Sequence, residues 1–221
     1  MCFSAPASFI AAAVAGTAGA ACLARVRERG DWPLAAMPVF FAMQQAIEGF
    51  LWLNLEHAPA SEATAAFTDG FLIFALVLWP VYAPLSALAA EPNRNRQFLI
   101  ALCFLAGVAV AIYFFASLDK SPRTASIDGR HIAYSADPDL PLAIRLLYPV
   151  ATCLSLMLSS HRTIALGGAV IFLGSVVSYW MYWNAFTSVW CFFAAITSAL
   201  VILHFERARR AVLAGRSNQS G

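Results

Sequence analysis

The stretch QFLIALCFLAGVAVAIYFFAS (97–117) contains no charged residue. A helix crossing a lipid bilayer needs about 20 mostly apolar residues, so this run alone is long enough. The rest of the chain follows suit: 61% of the 221 residues are apolar and only 12% are charged. A soluble domain is nearer half apolar and a quarter charged. No water-soluble core could bury this much apolar surface, so lipid has to cover part of it.

Seven such segments are expected, at roughly 6–26, 33–55, 66–90, 97–117, 140–159, 163–184 and 187–206. The expected fold is all-α, a seven-transmembrane-helix bundle over residues 1–214 with a polar, disordered tail at 215–221. Pro80 and Pro84 interrupt the third segment and predict a kink there. Pro33 and Pro141 suit first-turn positions, where no helical N–H is lost. Small residues four apart (Ala12, Gly16, Ala20; Gly174, Ser178) predict close packing of the first and sixth helices. Asp69 is expected in the first turn of the third helix.

The basic residues set the expected orientation. Arg25, Arg27, Arg29, Arg94, Arg96, Arg162, Arg207, Arg209, Arg210 and Arg216 fall on one side of the bundle. Lys120, Arg123, Arg130 and Arg145 fall on the other. This asymmetry places the N-terminus outside and the C-terminus in the cytoplasm, in a cell (inner) membrane. It is a membrane-topology pattern, not a nucleic-acid-binding face.

The longest connection, about 118–139, lies outside on this topology. Within it, TASIDGRHIAYS (124–135) predicts a β-hairpin turning at Asp128-Gly129. That register puts Ala125, Ile127, Arg130 and Ile132 on one face and sets Ser126 opposite His131. An ordered outer loop over a bundle can act as a lid or simply shield the bundle end.

Ionisable groups inside a membrane segment are costly and often functional. Gln45, Glu48 and Trp52 are spaced i, i+3, i+7 and share one helix face, with Gln44 beside them. This polar stripe is either a ligand, proton or cation site or a structural knot between helices. Arg145 is the natural counter-charge, with Tyr148 and Thr152 on its face. It either pairs with Glu48 or an anionic ligand, or snorkels to the interface. The expected ligand-binding set is Glu48, Gln45, Arg145 and Tyr148, with His131 on the lid.

Cys2, next to the N-terminus, and Cys191, at the start of the seventh segment, both fall at the outer boundary. They are candidates for a disulfide or for metal or thiol chemistry, or are two unrelated apolar cysteines. Cys103 and Cys153 lie mid-helix and are expected to serve packing.

The start MCFSA (1–5), QQAIEG (44–49), HIAYS (131–135), SSHR (159–162) and SVWCFFAA (188–195) with His204-Phe205 resemble an uncharacterised family of bacterial multi-pass membrane proteins. The resemblance runs nearly end to end and implies a membrane location, with no activity attached. Two other seven-helix classes fail by residue. Retinal proteins need a lysine in the seventh helix, and the only lysine here is Lys120. Seven-helix zinc hydrolases need a histidine cluster, whereas His57 and His131 fall outside and His161 and His204 inside. The expected function is an outward-facing polar pocket for a small ligand or ion. A membrane enzyme using Glu48 or Cys2 and a small-solute transporter are the alternatives. No particular cofactor is implied.

Overall fold

The computed structural model describes residues 4–118, 123–129, 131–134, 140–181, 197–207 and 209. Within them the chain is mostly helical. Helix α1 spans Ala5–Leu23, α2 Trp32–His57, α3 Glu62–Ala90 and α4 Arg94–Leu118. Strands β1 (Ala125–Asp128) and β2 (His131–Tyr134) follow. Helix α5 is Leu142–Met157, α6 is Arg162–Met181, and α7 is described over 197–207. Among the described residues, four stretches are long and apolar enough to cross a membrane: Ala5–Leu23, Arg29–His57, Glu62–Ala90 and Arg94–Ser117. Helix α5 is shorter, about 24 Å at the standard rise.

Local sequence sets the helix starts. Ser4 caps α1 by accepting from the Ala7 N–H at 3.4 Å. Pro33 sits in the first turn of α2. Ser61 caps α3 through the Thr64 N–H at 3.2 Å. Helix α3 therefore begins earlier than its apolar run. Glu62 is the acid of its first turn, while Asp69 lies two turns further in and is exposed. Asn93 caps α4, its side-chain oxygen accepting from the Asn95 and Arg96 N–H groups at 3.0 and 3.2 Å. Pro141 is the residue before α5 rather than within its first turn.

Helices α1 and α2 pack antiparallel through small side chains. The buried stripe of α1 is Ala5, Ser8, Ala11, Ala15, Ala18, Gly19 and Cys22. Ala20, expected on that stripe, is exposed. A side chain at Gly19 would come within 2.9 Å of the Val39 backbone nitrogen. Gly16 faces Ala42, and Gly49 of α2 faces the Phe9 ring.

Prolines shape the other side of the bundle. Residues Ile73–Leu78 of α3 and Val150–Leu154 of α5 form wide π turns. In α3 the Trp79 N–H reaches back five residues to the Phe74 carbonyl. The next donor in that ladder would be Pro80, which has no N–H, so the ladder cannot satisfy Ala75. Pro84 leaves the Pro80 carbonyl free in the same way. That carbonyl points at α4, where a side chain at Gly107 would overlap it.

One apolar core joins α2, α3, α4, α5, α6 and α7 through Leu34, Met37, Trp79, Ile100, Leu156 and Phe205, among others. Cys103 and Cys153 are buried, Cys153 within this core. A second cluster lies near the start of α1 and the end of α2, where Ala5, Leu51, Trp52 and Leu55 pack with Ile132 of the hairpin.

The hairpin forms with its strand partners shifted by two residues from the expected ones. Asp128 pairs with His131, Ile127 with Ile132, Ser126 with Ala133 and Ala125 with Tyr134. The turn therefore falls after Asp128, and Gly129 takes the positive φ (58°) that a tight hairpin turn requires. Ser126 does not face His131. Ala125, Ile127, Ile132 and Tyr134 share a face, as strand alternation gives in either register, and Ile132 and Tyr134 bury it against the helices.

Candidate functional site

The polar stripe of α2 is fully inside the protein. Glu48 has no solvent exposure, and Gln44, Gln45 and Trp52 are buried with it. Gln45 Nε2 donates to Glu48 Oε2 at 3.2 Å. Gln44 points elsewhere: its Oε1 accepts from the Trp79 indole N–H at 2.6 Å. The Trp79 ring stacks on Phe41 with centroids 4.0 Å apart. The two adjacent glutamines thus separate in role, one locking α2 to α3 and one holding the carboxylate.

Tyr148 of α5 crosses to α3. Its hydroxyl donates to the Ala75 carbonyl at 2.5 Å, the group that Pro80 cannot serve. Thr152 Oγ1 in turn donates to the Tyr148 carbonyl at 2.8 Å. Arg145, one turn earlier, is exposed, and no ion pair joins it to Glu48 among the described residues. Of the two alternatives for Arg145, the direct pair with Glu48 is not formed: Glu48 is fully buried and Arg145 is exposed.

At the hairpin, Ile132 and Tyr134 face the helices. Tyr134 stacks on Phe71 of α3 at 4.9 Å and 3°. His131 lies on the opposite strand face, its Nε2 3.8 Å from Asp128 Oδ2. Cys2, Cys191, Lys120, Arg130 and the 215–221 tail lie outside the described residues. Among the described residues, no three His, Cys, Asp or Glu side chains gather as a metal site.

The model of a family of unknown function, DUF6629, matches residues 1–217. The chain belongs to the DUF6629 family. No curated protein and no solved structure matches it.

This DUF6629 member has a second polar cluster at the opposite end of the bundle, which the sequence reading did not single out. Glu91, 3% exposed, follows α3. Its carboxylate accepts from the Ser160 N–H at 2.7 Å, the Ser160 hydroxyl at 2.5 Å and the Asn93 N–H at 3.1 Å. Burial pushes its pKa up, but the hydrogen bonds from Ser160, Asn93 and Ser159 outweigh that and hold it below the ordinary carboxylate value. His161 Nε2 donates to the Ala90 carbonyl at 3.0 Å, and its ring meets His204 edge-on at 4.8 Å. Arg96 donates to the Leu158 and Ser159 carbonyls at 2.8 and 3.2 Å. Arg25 pairs with Glu206 at 3.4 Å. One hint was present in SSHR (159–162), which supplies Ser160 and His161; its partner, Glu91, lies 69 residues away from Ser160.

Proposed function

We propose that this DUF6629 protein is a seven-span integral membrane protein of the cell (inner) membrane whose polar layer around Glu48 binds a small ligand or ion, in a binding or sensory role. The observation that carries the reading is the fully buried Glu48 carboxylate held by Gln45 inside a long apolar helix. An ionisable group at that depth costs several kcal/mol (about 3 on insertion scales), so a chain that keeps one gains something from it. Large apolar side chains on the outside of α4, such as Phe98, Leu105, Ile112 and Phe115, support a lipid-facing surface. The contacts of Arg25 with α7 and of Arg96 with the end of α5 support a common side for the basic ends. That side is the cytoplasm on this reading, with the hairpin outside.

Small-solute transport is the second reading. The π turns in α3 and α5 favour it, since broken helices are a recurring feature of transporters.

The test is a thermal-shift screen of small solutes and ions on detergent-purified protein. At least one compound is expected to stabilise the wild type and not a folded Glu48→Ala variant. Compounds that stabilise both equally would sink the reading, and Glu48→Gln reports whether charge or only an acceptor is needed. The orientation is checked by a reporter fused after Gly221, which should be active in the cytoplasm. A periplasmic signal would invert it.

A further inference from the structure

Two buried polar atoms near Glu48 have no hydrogen-bond partner among the described residues: Ser8 Oγ and Trp52 Nε1. Ser8 is fully buried and Trp52 is 4% exposed. Buried donors are nearly always satisfied, so two orphans in one place call for an explanation. Helix packing shows that they share a level. Gly19 faces Val39, Gly16 faces Ala42 and Phe9 faces Gly49, so residue numbers on α1 fall as those on α2 rise. In this register Ser8 is level with residue 50, midway between Glu48 and Trp52 and about 3 Å along the axis from each. Ser8 lies on the buried stripe of α1, and Glu48 and Trp52 are four apart on the buried stripe of α2. Ile132 of the hairpin, itself fully buried, packs with Ala5, Leu51 and Trp52 at the same end.

The three groups restrict what can sit between them. An indole N–H only donates, so the occupant has to present a lone pair. Ammonium and bare metal cations have none to offer it. An anion would face the Glu48 carboxylate in a low-dielectric interior, where like charges repel strongly. A neutral hydroxyl fits all three. It accepts from Trp52 and Ser8 and donates to the Glu48 carboxylate, an acceptor of several hydrogen bonds at once.

We infer that Ser8, Glu48 and Trp52 form a binding site for one neutral hydroxyl group, carried by a small polyol or by water. The inference rests on the ligand-binding reading of the Glu48 layer and names its chemistry.

The test uses the indole N–H signals of ¹⁵N-tryptophan-labelled full-length protein in lipid nanodiscs. Trp52→Phe identifies the Trp52 signal among the six tryptophans. Glycerol, ammonium chloride and sodium acetate are then titrated separately. A saturable Trp52 shift with glycerol is expected, weakened about tenfold by Ser8→Ala, as for the loss of one hydrogen bond. Transfer of magnetisation from water to the Trp52 N–H without any glycerol shift would identify water as the occupant. That result keeps the site and sinks the ligand-binding reading. A Trp52 shift with ammonium or acetate instead keeps ligand binding and overturns the hydroxyl assignment. No water transfer and no shift with any probe overturns the inference.

Discussion

The α1–α2 interface and the α3–α4–α5 interface solve the same packing problem in opposite ways. In α1–α2, small residues bring two helices close enough for Gly19 to lie against the Val39 backbone. That contact is mainly van der Waals, the usual basis of small-residue packing in lipid. In α3–α4–α5, prolines remove donors and the turns widen, so backbone carbonyls become partners for neighbouring helices. Tyr148 serves the Ala75 carbonyl, and Gly107 makes room for that of Pro80. The difference teaches that a proline inside an apolar helix need not leave a defect. It can create a directional contact that fixes the neighbour's position.

The strongest way to break this comparison is Gly107→Ala. The new methyl group would overlap a backbone carbonyl, which cannot rotate away as a side chain can. A loss of about 3 kcal/mol is expected, at the upper end for overpacking, read as a lower unfolding temperature in detergent. An unchanged unfolding temperature would show that α4 shifts freely against α3.

Tyr148→Phe tests the directional contact itself. Losing the hydroxyl leaves the Ala75 carbonyl unserved, at an expected cost of about 1–2 kcal/mol. The sharper experiment is the double variant Pro80→Ala with Tyr148→Phe. Restoring an N–H at position 80 gives the ladder its own donor, so the tyrosine change should cost less in that background. Equal costs in both backgrounds would show that the hydroxyl does not stand in for the missing N–H.

The smallest effect is expected at Glu91, which ties the α3–α4 link to the α5–α6 link. Its pKa is lower in the folded protein than the ordinary 4.5. A carboxylate depressed on folding contributes fully above its unfolded pKa, and the contribution is lost as the pH falls through the folded value. Thermal stability should therefore decline with acid below about pH 4.5 more steeply in wild type than in Glu91→Gln. Parallel pH profiles would show that the Glu91–Ser160 contact contributes nothing to stability.

The sequence by itself determined the helices, because an apolar run of that length with caps such as Ser4 and Ser61 has few other stable forms. It also determined the presence of the hairpin and the burial of Gln45, Glu48 and Trp52 together, since i, i+3 and i+7 fall on one face whatever the fold. These are local properties, set by backbone geometry within a few residues. Only the tertiary structure decided what each polar group meets. The Asp-Gly pair predicted a turn, but the strands pair two residues away from the expected partners, with Gly129 in the positive-φ position. Pro80 was legible as a kink, yet nothing near it in sequence named Tyr148 as the partner of Ala75, and nothing near Glu91 named Ser160. Those pairs are separated by 73 and 69 residues. Hydrogen bonds between distant segments depend on helix register and approach, which one chain's local pattern does not encode.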